Sequence, residues 1–162
     1  MATKLTAILE FPADAKTVFG MFGDSSYLEL KRAQSEQGTF SVTETQIERL
    51  ICVTRSLDDI PETYQKFLGS DLMLQEEQTW KLDSRSTFQA DLKITIVGKP
   101  INISGTMTVK NAESGSELNL DVEVNVSIPL FGAMAENFIK EKFGEIIAAE
   151  QAIGLQWLST GK

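Results

Sequence analysis

The 162-residue chain has a formal net charge of −8, with 42% hydrophobic and 23% charged residues, no histidine and a single cysteine, Cys52. Its lysines and arginines are scattered, so this charge repels phosphate backbones and anionic lipid headgroups, and nucleic acid is excluded as a partner. Without histidine the chain lacks the commonest general base at neutral pH, the commonest zinc ligand and every Ser–His or Cys–His nucleophile pair. One thiol leaves no internal disulfide.

The length fits one domain, residues 1–162, large enough to bury about 68–70% of its unfolded surface. No N-terminal segment joins basic residues to an apolar run, and no stretch reaches the ~18 apolar residues of a membrane span. The expected location is the cytoplasm, with no stable membrane insertion. The glycosylation sequons at Asn102 and Asn125 read as chance matches there. No metal or cofactor is expected.

In chain order, residues 4–11 alternate, with Leu5, Ala7, Leu9 and Phe11 on one face: a half-buried strand that Pro12 stops. Ala15, Val18, Phe19 and Phe22 then follow helical spacing up to Gly23. Asp24 is placed to cap a second short helix whose inner face carries Tyr27, Leu28 and Lys31. Residues 39–45 and 47–56 read as a hairpin. Asp59, Pro61 and Glu62 predict a capped short helix through Leu68, closed by Gly69. Residues 72–82 read as a strand. Three regular strands follow, with apolar residues at alternate positions over 88–96, 101–109 and 118–128 and turn residues at 98–100 and 113–116. Clean alternation of this kind predicts an antiparallel sheet with one dry face and one wet face.

Residues 130–158 contain no proline and predict one helix of roughly 43 Å at ~1.5 Å per residue. Phe131, Ala135, Phe138, Ile139, Ile146, Ala149, Ile153 and Trp157 share one side, and Glu136, Asn137, Lys140, Glu141 and Gln151 share the other. A rod of that length is expected to lie across the dry face of the sheet. Gly132, Gly144 and Gly154 are expected to mark its start, a bend and a close packing point.

The order strand, two short helices, six antiparallel strands, long helix resembles the helix-grip fold of the START-like (SRPBCC, polyketide cyclase and lipid transfer) superfamily over essentially the whole chain. Within it, FPADAKTVFGMFGD at 11–24, QEEQTW at 75–80 and IPLFGAMAENFIKEKF at 128–143 resemble an uncharacterised actinobacterial family of unknown function. The resemblance implies an α+β fold, with a curved seven-stranded antiparallel sheet gripped by the C-terminal helix around an elongated, mostly apolar cavity. Ligands of the superfamily are typically hydrophobic small molecules. It has no invariant catalytic set, so none carries over.

Several residues read two ways. Lys142 lies near the centre of the helix's apolar arc, where it would hold a ligand carboxylate or an internal glutamate, unless helical drift lets it snorkel to the rim. Glu76 and Gln78 share a strand face with Trp80. If that face points inward, burial raises the Glu76 pKa towards acid–base work; otherwise both meet solvent or pair with a cross-strand arginine. Arg49 and Arg55 alternate with Ile51 and Val53 and would fix an anionic ligand or pair with glutamates such as Glu44. Cys52 reads as an inert thiol. The expected cavity-lining set is Phe22, Tyr27, Glu76, Trp80, Phe88, Phe131, Met134, Phe138 and Lys142, with an entrance among the short helices, the hairpin loops and the start of the long helix. The expected function is binding, transport or sequestration of a hydrophobic or amphipathic molecule such as a lipid or polyketide-like compound. The alternatives are a cofactor-free cyclase or dehydratase using Glu76 or Lys142, which a buried Lys142–Glu76 pair would favour, and a protein-interaction module without a ligand.

Overall fold

Alternating apolar residues form seven strands in the computed structural model, which describes residues 2–83 and 87–160. They are β1 (Ala2–Phe11), β2 (Gly38–Glu44), β3 (Glu48–Leu57), β4 (Leu72–Lys81), β5 (Phe88–Ile96), β6 (Ile101–Ala112) and β7 (Gly115–Val126). All neighbours are antiparallel, in the order β1-β7-β6-β5-β4-β3-β2, so consecutive strands from β2 to β7 are adjacent and β1 closes on β7. Four helices complete the α+β fold: α1 (Ala15–Phe22), α2 (Ser25–Arg32), α3 (Glu62–Leu68) and α4 (Gly132–Ser159).

The period of two carries one face of each inner strand into the core. On β7, Leu118, Leu120, Val122, Val124 and Val126 are buried, and on β6 so are Ile101, Ile103, Met107 and Val109. β6 and β7 approach closely at Gly105. A Cβ there would collide with the Asp121 carbonyl oxygen and stand 2.6 Å from the Val122 Cα, so the position admits no side chain.

Local chemistry sets the helix ends. Asp14 and Asp24 cap α1 and α2 by accepting the Thr17 and Ser26 amides at 2.9 and 2.8 Å. The cap expected from Asp59 is absent: that residue adopts a left-handed φ of 57°, and α3 begins after Pro61 with no side-chain cap. Gly69, at φ 85°, ends α3 as expected.

The C-terminal helix begins two residues later and ends one residue later than predicted, over Gly132–Ser159. It crosses the dry side of the sheet beside β1, β7 and α2. Gly154 lets α4 approach β1, since a Cβ there would stand 2.5 Å from a Phe11 ring carbon. Glu136, assigned to the wet side of the helix, is buried at 8% exposure instead, because this part of α4 lies against β1 and Thr3 Oγ1 donates to its carboxylate. Among the described residues no helix is long and apolar enough to cross a membrane.

Candidate ligand-binding site

Between the sheet and α4 lies a cavity of about 90 Å³. Four elements aim polar groups into it. Helical spacing on α2 turns Tyr27, Leu28 and Lys31 to the same buried side. Alternation on β4 turns Leu74, Glu76, Gln78 and Trp80 inward, and alternation on β3 does the same for Ile51, Val53, Arg55 and Leu57. Helix α4 supplies Ile139, Lys142, Phe143, Ile146, Ile147 and Glu150, one stripe at steps of three and four. The remaining wall is apolar, formed by residues such as Leu9, Leu92, Ile103, Met107, Leu118 and Leu120.

Where α2, β3, β4 and α4 converge, two cations and two carboxylates interlock. Lys31 Nζ lies 2.9 Å from Glu76 Oε2 and 3.0 Å from Glu150 Oε1. One guanidinium nitrogen of Arg55 lies 3.7 Å from Glu76 Oε1 and 3.5 Å from Glu150 Oε1. In the β3–β4 register Val53 faces Glu76, so Arg55 reaches the carboxylate along the diagonal. Tyr27 donates its hydroxyl to Glu150 Oε2 at 3.2 Å. Along β4, Trp80 Nε1 donates to Gln78 Oε1 at 2.9 Å, and Gln78 Nε2 donates to Glu76 Oε2 at 2.5 Å. The buried Arg55 Nε has no hydrogen-bond partner among the described residues.

The electrostatics follow from this packing. Burial pushes the Glu76 carboxyl upward, but Lys31 and Arg55, with hydrogen bonds from Lys31 and Gln78, outweigh it and hold the pKa down to about 2. Burial works against the charge on Lys31, yet Glu150 and Glu76 prevail and raise its pKa. Burial, reinforced by Glu150 and Glu76, lifts the Tyr27 phenol well above its ordinary value. At neutral pH Glu76 and Lys31 are therefore charged and the Tyr27 phenol is neutral. The upward shift expected for Glu76 is reversed, because the two cations and the hydrogen bonds outweigh desolvation.

Of the nine expected lining residues, Phe22, Tyr27, Glu76 and Lys142 border the cavity. The other five lie elsewhere. Trp80 is fully buried beside Phe19 and Phe22, with ring centroids 5.4 and 5.8 Å away. Phe88 stacks on Phe19 at 4.4 Å, and Phe138 packs against Tyr64 at 5.0 Å. Phe131 stacks on Phe67 at 5.2 Å near the start of α4 and, like Met134, is exposed. Lys142 does not meet Glu76; it lies 3.7 Å from Glu145, one turn along the helix. Arg49 and Arg55 divide the two roles weighed for them. Arg49 lies over the Phe19 ring at 4.2 Å and pairs with Glu44 at 3.0 Å, whereas Arg55 joins the buried cluster. Glu150 escaped the sequence reading, although it continues the Lys142–Ile146 step by one more turn. Lys31 was placed on the right face of α2 without a partner.

Comparison with known proteins agrees with this architecture. A family model described as "Protein of unknown function (DUF2505)" matches residues 6–158. The uncharacterized protein Rv0481c of Mycobacterium tuberculosis is 24% identical over 156 residues, covering 94% of this chain and 80% of the relative. Among solved structures, Zhui aromatase/cyclase from Streptomyces sp. R1128 superposes with a TM-score of 0.61 at 13% identity, covering 96% of this chain and 92% of that one. A STAR-related lipid transfer protein from Xanthomonas axonopodis gives 0.57 at 12% identity, covering 93% and 85%. Protein Ms6760 from Mycobacterium smegmatis gives 0.63 at 12% identity, covering 98% and 92%. At these identities the likeness to solved structures is one of fold: the helix grip of a sheet and a long helix.

Proposed function

We propose, from the premise that the chain belongs to the DUF2505 family and has a helix-grip fold, that it binds a hydrophobic or amphipathic small molecule between its sheet and α4. The observation that carries this reading is the cavity itself. The space between the sheet and α4 is not packed solid, its walls are mostly apolar, and ordered polar groups gather at one region of it. Apolar burial would supply affinity and the polar groups orientation, the usual division of labour in small-molecule sites. That an aromatase/cyclase and a STAR-related lipid transfer protein share the fold supports a ligand of this class.

Binding is favoured over a cyclase- or dehydratase-type reaction by the state of the polar groups. A general acid or base works best with a pKa near the ambient pH. Glu76, held at about 2, and Lys31, held above its ordinary value, are each locked in the charged form by the other and by Glu150 and Arg55.

Native mass spectrometry of the protein purified from its own cells, followed by denaturing extraction, tests the proposal. A stoichiometric hydrophobic adduct is the expected result. A clean apo mass, together with no thermal shift from a panel of lipids and polyketide-like compounds, would refute it and favour a protein-interaction module.

A further inference from the structure

The charges in the cavity wall do not cancel. Among the described residues, five charged ones border it: the cations Lys31, Arg55 and Lys142, and the carboxylates Glu76 and Glu150. Four of them neutralise one another inside the buried cluster, where each cation approaches both carboxylates within 3.7 Å. Lys142 is left over. It stands eight residues before Glu150 on α4, about 12 Å along the helix axis at ~1.5 Å per residue. Neither carboxylate of the wall pairs with it, and the Glu145 carboxylate at 3.7 Å is 66% exposed, so solvent weakens that pair. The lysine side chain itself is only 16% exposed. In a chain of net charge −8, the cavity wall thus carries one surplus positive charge, next to apolar surface.

We infer that the ligand is an amphipathic monocarboxylate, with its carboxylate on the Lys142 ammonium and its hydrocarbon body running along Ile146 towards the Lys31–Glu76 cluster. A single surplus cation matches a singly charged head. A phosphate monoester would bring additional negative charge that no second free cation among the described wall residues meets. The neutral four-residue cluster closes the other region of the cavity to a second charge, because a further anion there would face Glu76 and Glu150. This assignment of a ligand class rests on the cavity-binding reading above.

The test is isothermal titration of the unliganded protein with octanoate, dodecanoate and hexadecanoate and, in parallel, with the alcohols of the same chain lengths. The expected result is a preference for acid over alcohol of about tenfold or more at the best chain length, the scale of one charge-assisted hydrogen bond. In Lys142→Met the ratio of acid to alcohol affinity should fall to near one, and in Lys142→Arg most of it should be kept. Equal affinity for acid and alcohol, or a preference that survives in Lys142→Met, would overturn the carboxylate assignment while leaving cavity binding in place. Binding of neither series would likewise overturn the carboxylate assignment.

Discussion

Replacing Glu76 by glutamine tests the buried cluster directly. The substitution keeps the shape and one acceptor oxygen, but it leaves Lys31 and Arg55 with a single carboxylate, Glu150. Breaking a buried ion pair by removing one partner costs about 3–5 kcal/mol. Linkage gives a figure of the same order. A carboxyl held at about 2 instead of its ordinary 4.5 contributes about 3 kcal/mol at neutral pH, at ~1.36 kcal/mol per unit. For a chain of this length, that corresponds to a fall in Tm of about 6–12 °C. The sign of the pH dependence is fixed as well. Because the folded-state pKa is lowered, the stabilisation is fully present above pH 4.5 and is lost as the pH falls towards 2. Thermal melts followed by circular dichroism should therefore show the wild type well above Glu76→Gln at pH 7, with the gap closing steadily below pH 4.5. Equal melting temperatures at pH 7, or a gap that stays constant down to pH 2, would refute the reasoning.

Two further outcomes follow from the same geometry. Lys31→Met leaves Glu76 and Glu150 facing each other with only Arg55 between them, and it should cost about 3 kcal/mol or more in urea unfolding, whereas Lys31→Met combined with Glu76→Leu should recover much of that loss. Strict additivity of the two substitutions would contradict the pairing. Gly105→Ala should be among the most damaging single-methyl additions in the chain, because the atoms it meets are the Asp121 carbonyl and the Val122 Cα, which belong to the β7 backbone and have no rotamer in which to escape. An unchanged urea midpoint would show that the two strands separate more easily than their register indicates.

The elements were legible in the sequence where a period was strong and local. The strict alternation of β5, β6 and β7 located those strands, and 28 helical residues without proline located α4. Orientation could also be read for single residues: Trp80, Gln78 and Glu76 share a face because of a period of two, and Tyr27, Leu28 and Lys31 share one because of a period of 3.6. Partnership could not be read. Lys31 and Glu76 are 45 positions apart, and their contact depends on how α2 docks over β4. Lys142 and Glu76 were the natural pair to consider because each was conspicuous alone, but the nearest anion to Lys142 lies on its own helix. Glu136 shows the limit of helical phase. Its position on the wheel is polar, yet the turn it occupies happens to lie beside Thr3 of β1. The aromatic candidates Phe131 and Phe138 were drawn to α3 for a similar reason, since Tyr64 and Phe67 come within ring-stacking distance of them only once that short helix is folded down.

The chain of hydrogen bonds along β4 ends on an indole, and this gives the protein a built-in optical probe. Trp80 and Trp157 are its only two tryptophans. The second donates to Ser26 Oγ at 2.8 Å, so Trp157→Phe would leave one emitter. That emitter is shielded from water, and its N–H is connected through the Gln78 amide to the carboxylate that Lys31 grips. A change in the charge at Glu76, or a displacement of Gln78 by an arriving molecule, alters the field across the Trp80 ring and hence the colour of its fluorescence. Filling of the cavity would thus be visible in unlabelled protein, in real time, at a residue that never touches the occupant.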